Sequence, residues 1–218
     1  TIESSYQSSI ATIWKDRVAK HQEYTAQIPF SDFKVFDFIC QNVPKNSQLQ
    51  VSNSSAIRYL QLFDLDKSIQ VFCNRGTSGI DGSTSTAIGA ALATNLPTIL
   101  ITGDISFLYD SNALWNNYIP KNFKIILLNN SGGGIFRILP GHQETETFNR
   151  YFETSHQLNA SHLAKMYGFD YFEANDEATL QQQYKSFLNQ NEKPSILEIF
   201  TPEKENNGIL LEFFRGLK

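Results

Sequence analysis

The sequence predicts a doubly wound α/β sandwich, a mostly parallel sheet with helices on both faces. Three observations carry that expectation. Short runs that are apolar throughout alternate with helical patterns along the chain. Strands without in–out alternation belong to a sheet buried on both faces, and strands separated by helix-length segments are joined as parallel βαβ units. At 218 residues, 41% hydrophobic and 18% charged, the chain can bury the core such a fold needs.

Residues 47–53 (SQLQVSN) read as a first strand and 54–63 as a helical turn or two. SIQVFCN, 68–74, is a second strand, followed by the glycine-rich loop RGTSGIDGS and a small-residue helix over 84–95. PTILITG, 97–103, is a third strand, with a helix over 106–118. FKIILLNN, 123–130, is a fourth, leading into a loop, SGGGIFRILPG. A helix over 161–170 precedes a short strand, YFEA, and a helix over 176–190 precedes a last strand, 194–200. The opening segment shows helical and linker-like sequence and no strand. Residues 1–40 are therefore expected to be an extension of a unit spanning 41–218, as in a C-terminal domain excised from a longer protein.

Composition excludes some partners. A net charge of −4 and a pI of about 5.6, with no long basic run, give nucleic-acid binding no electrostatic support. No apolar run approaches the roughly 18 residues of a membrane span, and no signal peptide opens the chain, so a cytoplasmic setting is expected. Cys40 and Cys73 sit in apolar surroundings and read as buried free thiols; neither they nor the histidines have zinc-ligand spacing. His142 and His156 read as solvated loop histidines rather than acid–base groups.

Each of four strands ends in something polar or glycine-rich: Asn53, Ser54 and Arg58; Arg75, Ser78, Gly79 and Asp81; Gly103, Asp104 and Ser106; Asn130 and Gly132 to Gly134. In a parallel sheet those ends converge on one edge, where ligands bind near a topological switch point. Asp104 offers an anionic oxygen and Asn130 an amide oxygen, and the glycines leave main-chain groups bare. Oxygen ligands beside backbone N–H groups suit Mg²⁺ shared with a phosphate. The alternative is that Asp104 only caps a helix. No P-loop follows a strand, and no G-x-G-x-x-G.

The stretch from Gly103 to Asn130 resembles the motif of thiamine-diphosphate enzymes, Gly-Asp followed about 25 residues later by Asn-Asn; Ile105 stands where that motif usually has glycine. NRGTSGIDGSTSTAIG (74–89), GDISFLYDSNAL (103–114) and NNSGGGIFRILPG (129–141), with YFETSH (151–156), resemble the carboligases of menaquinone biosynthesis. That resemblance covers roughly residues 50 to 200. It implies thiamine diphosphate and Mg²⁺ as cofactors. Asp104, Asn130 and the Gly132 carbonyl would ligate the metal. Ser78, Gly79, Ile80, Gly103, Ser106 and Ile135 would bind the cofactor, with Ile80 wedged between its two rings to hold it bent. Ser106 could instead only cap its helix. Ser54, Arg58 and Arg75 would meet the carboxylates of the small-molecule substrates, 2-oxoglutarate and isochorismate, for which forked cations suit. Ile135, Phe136 and Leu139 would form an apolar wall.

No catalytic residue is assigned within this chain. The family's catalytic glutamate lies on a separate pyrimidine-binding domain, usually of a second subunit, and the full-length enzyme would be a homodimer or homotetramer. Two other readings stay open: a thiamine-diphosphate enzyme of another specificity, such as an acetolactate-synthase-like or 2-oxo-acid decarboxylase enzyme, and a non-catalytic α/β interaction module.

Overall fold

A computed structural model describes residues 5–217. Helix α1 (Ser5–Gln27) and helix α2 (Asp32–Asn42) precede β1 (Gln48–Val51), α3 (Ser55–Leu60), β2 (Gln70–Cys73) and α4 (Ser83–Leu92). Then follow β3 (Thr98–Gly103), α5 (Asp104–Tyr109), β4 (Lys124–Asn129), α6 (Ser161–Tyr167), β5 (Asp170–Ala174), α7 (Glu177–Asn189), β6 (Ser195–Phe200) and α8 (Asn206–Gly216). Short 3₁₀ turns cover Ser111–Trp115 and Gly134–Ile138, and a π-helical turn covers Phe148–Glu153. No described helix is long and apolar enough to cross a membrane.

The six strands form one sheet in the order β2-β1-β3-β4-β6-β5, and every pairing is parallel. The sheet is covered on both faces, and the pleat decides which side chain faces which layer. Ile99, Ile101, Ile126, Leu128, Leu197 and Ile199 pack with α2, α3, α7 and α8 on one face. Leu100, Ile125, Leu127 and Ile196 pack on the other with Ala87 and Ile88 of α4, Phe107 of α5 and Ala164 of α6. Helix ends follow local chemistry. Asp176 opens α7 with a capping box, accepting from the Thr179 N–H at 2.7 Å, and Gly168 ends α6 at φ +77°.

Three elements differ from the sequence expectation. Strand β2 lies at the sheet edge, with Val71 42% and Phe72 49% exposed, so its apolar run is not a buried one. Cys73, on that strand, is correspondingly only half-buried, whereas Cys40 is buried. The helix expected over 106–118 starts at Asp104 and stops at Tyr109. Asp110 leaves the helical conformation, and its carboxylate accepts from Ser85 N–H at 2.7 Å and Ser85 Oγ at 2.6 Å, pinning the chain to α4. Helix α8, which the apolar-run reading passes over, adds Ile209, Leu210 and Phe213 to the core.

Helix α2 straddles residue 40. Its Phe33, Val35, Phe36 and Ile39 are at most 1% exposed and belong to the same core as the sheet. An apolar face repeating at helical spacing builds it, and the sheet supplies the surface that face buries.

Candidate functional site

Strand order reverses between β1 and β3: the chain runs outward from β1 to β2, returns to β3 and continues to β4 on the other side. At that switch point the carboxyl ends of β1, β3 and β4 part around a cavity of about 260 Å³. Ser54 lines it from the β1 end, Gly103, Asp104 and Ser106 from the β3 end, and Asn130 and Gly132 to Phe136 from the β4 end. Ile80 reaches in from the loop after β2, and Tyr151, Phe152 and Glu153 close the far side.

Backbone strain collects at these strand ends. Ser54, Ser78 and Ser131 all have positive φ, at +72°, +69° and +65°. Non-glycine residues hold such angles only where the surroundings over-determine them, typically at functional sites.

Asp104 is 4% exposed and opens α5. Its Oδ1 accepts from the Ile105 N–H at 2.7 Å, and its Oδ2 accepts from the Gly132 N–H at 3.0 Å. The ring of His156 sits on the same oxygen, with Nε2 3.3 Å from Oδ2. His156 Nδ1 accepts from the Leu158 N–H at 3.1 Å, so the proton resides on Nε2, facing the carboxylate. The Asp104 carboxylate beside it raises the His156 pKa, against the effect of burial. His156 is thus an Asp104 partner and not the solvated loop residue that its sequence context suggests. His142 instead packs edge-on against Phe148.

Asn130 Nδ2 donates to Asp32 Oδ2 at 2.9 Å. Asp32, 2% exposed, also accepts from Thr201 Oγ1 at 2.6 Å. Burial, with a smaller push from the nearby Asp104, raises the Asp32 carboxyl to about 6, against the Thr201 and Asn130 hydrogen bonds, which hold it down. Gly132 has φ +153°, and a Cβ there would stand 2.7 Å from the Glu153 carbonyl oxygen. Glycine is required by both conformation and approach. The Gly133 N–H donates to that same carbonyl at 2.6 Å. Glu153, 1% exposed, forms a two-pronged ion pair with the buried Arg137, whose guanidinium also reaches Glu144 at 3.3 Å.

Of the other expected residues, Ser106, Ile135 and Phe136 line the cavity, and Arg58, Arg75, Ser78, Gly79 and Leu139 do not. Ser106 Oγ donates to the Ile80 carbonyl at 2.5 Å, tying the loop after β2 to α5. Arg58 donates to the Ser54 carbonyl at 2.8 Å and Arg75 to Asn53 Oδ1 at 3.0 Å. Both guanidiniums brace the β1 end from outside and neither lines the cavity. Ser78 and Gly79 are exposed beside it, the Gly79 carbonyl accepting from Asn53 Nδ2 at 3.1 Å. Leu139 is 53% exposed and stands clear of the wall that Ile135 and Phe136 form. Asp32, His156, Arg137 and Glu153 were not anticipated. A charge inside the apolar run GIFRIL was the one local signal for Arg137.

This donor set suits a hard divalent cation held against a phosphate. It combines one buried carboxylate, one carboxamide whose N–H₂ edge is already taken, and a glycine turn that leaves main-chain groups bare. Asp104, Asn130 and the Gly132 carbonyl are the residues that would hold Mg²⁺, and the cavity between the strand ends would hold the rest of a cofactor.

The model of the family "Thiamine pyrophosphate enzyme, C-terminal TPP binding domain" matches residues 53–199. The chain is 62% identical over 216 residues to a 2-succinyl-5-enolpyruvyl-6-hydroxy-3-cyclohexene-1-carboxylate synthase of Flavobacterium johnsoniae, covering 99% of this chain and 39% of the relative. It is 65% identical over 217 residues to the protein of that name from Flavobacterium psychrophilum, covering 100% and 39%. With the one from Christiangramia forsetii the identity is 56% over 202 residues, covering 93% and 35%. The chain thus spans about two-fifths of the length of the curated relatives it matches. Its fold, the metal-type donor set at its switch point and these matches agree, and the chain belongs to the thiamine pyrophosphate enzymes as their C-terminal, cofactor-binding domain.

Proposed function

We propose that this chain is the cofactor-binding part of a longer 2-succinyl-5-enolpyruvyl-6-hydroxy-3-cyclohexene-1-carboxylate synthase. That enzyme decarboxylates 2-oxoglutarate and adds the resulting four-carbon unit to isochorismate, in menaquinone biosynthesis. The observation that carries the reading is the convergence of Asp104, Asn130 and Gly132 at the switch point, in a chain so close to synthases of that name. Thiamine diphosphate supplies the electron sink for the decarboxylation and the carbon–carbon bond formation.

This chain's own residues hold and orient. Asp104, Asn130 and the Gly132 carbonyl hold Mg²⁺. Ile80 and Ile135 would press on the cofactor, and Phe136 would add to the apolar wall of the cavity. Arg58 and Arg75 stand at the rim, where they receive substrate carboxylates.

Each carboxylate that lines the cavity is already engaged: Asp32 by Asn130 and Thr201, Asp104 by Gly132, and Glu153 by Arg137. The family resemblance implies that the acid exchanging a proton with the cofactor lies on a pyrimidine-binding domain outside this chain, in a homodimer or homotetramer. Two free cysteines suit a reducing compartment, and we place the enzyme in the cytoplasm.

The thermal midpoint tests the cofactor site, measured with Mg²⁺ and thiamine diphosphate separately and together. A ligand at 100 times its dissociation constant stabilises the folded state by about 2.7 kcal/mol. The expected upward shift needs both ligands and vanishes in Asp104→Ala. The longer protein should release CO₂ from 2-oxoglutarate and join the remainder to isochorismate; this chain alone should do neither. Turnover by the isolated chain would defeat the assignment of the acid to another domain.

A further inference from the structure

A carboxamide presents two edges of equal size and opposite polarity. An oxygen faces a cation favourably; an N–H₂ facing it repels. Nothing within a glycine-rich turn decides which edge of Asn130 points into the cavity, so something outside the turn has to.

We propose that Asp32 is a positioning residue for the metal site, fixing the Asn130 carboxamide so that Oδ1 faces the cation. The proposal rests on the Mg²⁺–thiamine diphosphate reading above. An ionised carboxylate only accepts hydrogen bonds, so the edge of Asn130 lying 2.9 Å from Asp32 Oδ2 is the N–H₂ edge. Oδ1 is then on the other edge of the trigonal group, away from Asp32.

Asp32 can impose this because it is itself clamped. Thr201 Oγ1, just past β6, donates to its Oδ1 at 2.6 Å. Its main-chain N–H donates to Asn206 Oδ1, in α8, at 2.8 Å. It is the first residue of the 11-residue α2, where the helix dipole favours a negative charge. Those anchors belong to elements other than the β4 turn, and Asp32 stands 98 positions from Asn130 in sequence. The simpler role for an acid at this place is to cap its own helix. Here the helix start has no side-chain capping bond, and the Asp32 carboxylate is given to Thr201 and Asn130 instead. Asp32 and Asp104 line the same cavity, and a divalent cation there offsets two buried carboxylates. Partners of this kind, which orient a ligand without touching the metal, typically carry 10–100-fold of metal affinity.

The test uses the longer synthase and reads the Mg²⁺ concentration that half-saturates thiamine diphosphate binding, by calorimetry, independently of turnover. Asp32→Asn keeps the shape but can donate to Asn130 Oδ1, turning the amide round. The expected result is a Mg²⁺ requirement raised by about 10–100-fold, with the ligand-free thermal midpoint close to that of the wild type. The exchange variant Asp32→Asn/Asn130→Asp restores the hydrogen bond with an oxygen toward the metal, and should recover most of the lost affinity. Thr201→Val unclamps Asp32 without changing its charge, and should raise the requirement several-fold; it serves if Asp32→Asn does not fold. A wild-type Mg²⁺ requirement in Asp32→Asn or in Thr201→Val overturns the proposal, as does an exchange variant no better than Asp32→Asn. Wild-type protein that takes up neither Mg²⁺ nor thiamine diphosphate overturns the cofactor reading and this proposal together.

Discussion

The Gly132 N–H donates to Asp104 Oδ2 at 3.0 Å, across 28 positions of sequence, and so ties the end of β4 to the end of β3. The bond requires Gly132 at φ +153°, beneath the Glu153 carbonyl. Gly132→Ala is doubly strained, by its backbone angle and by a Cβ placed 2.7 Å from that oxygen. It should cost about 1–3 kcal/mol of stability and abolish the midpoint shift given by Mg²⁺ with thiamine diphosphate. Gly134→Ala is the control, because its Cβ would meet only Asn130 Nδ2, at 3.8 Å. Equal effects from the two substitutions would show that Gly132 has no special place.

The buried Arg137–Glu153 pair holds the turn over Phe148–Glu153 against the glycines of the β4 turn. Removing one partner strands a charge. Arg137→Met should lower stability by about 3–5 kcal/mol, whereas Arg137→Met with Glu153→Leu should recover most of that loss. Chemical denaturation of the two variants decides it: a double variant no more stable than the single one would mean that the pair is not the source of the cost.

Lys124 offers a pH test away from the cavity. It is 5% exposed; its Nζ donates to the Gln190 carbonyl and to Ser195 Oγ, and burial lowers its pKa to about 8, partly offset by Asp170. A lysine with a depressed folded-state pKa is neutral in the folded protein while still charged in the unfolded chain, between about 8 and its ordinary 10.5. The unfolded state then binds more protons, so stability gains with rising pH across that window and not below it. Measured as a difference from Lys124→Met, the wild type should gain on the variant from pH 8 upward. A flat difference would place the Lys124 pKa at its ordinary value.

What the sequence made legible was what is local. Strands β3, β4 and β6 are apolar runs whose burial follows from composition, and Asp104, Asn130 and Gly132 lie within short, recognisable stretches around the strand ends. Strand β2 carries the same kind of run as its neighbours, but its place at the edge depends on the order of strands, which no run encodes. Helix α5 is cut short by a contact from Asp110 to Ser85, 25 positions back, which helical periodicity cannot register. Asp32 escaped for the same reason. An acid at a helix start is common, and what sets this one apart is an amide on the far side of the sequence. Arg58 and Arg75 were legible as residues near the site, yet their hydrogen bonds to the β1 end hold them at its rim.

The all-parallel sheet also sets a timetable. No strand pairs with its neighbour through a hairpin, and β4 pairs with β6 with Lys124 opposite Ser195, 71 positions later. Closure over such distances comes before any pairing repays it, so folding is slow relative to helical or hairpin-built domains of this size. At about 5–20 residues per second of synthesis, that separation leaves roughly 4–14 s between the appearance of β4 and that of its second partner. For that interval the nascent chain carries an apolar strand with one open edge, the kind of edge on which chains join one another. The strand that ends in Asn129, beside the glycine turn of the cavity, thus keeps one edge unpaired while β6 is still being made.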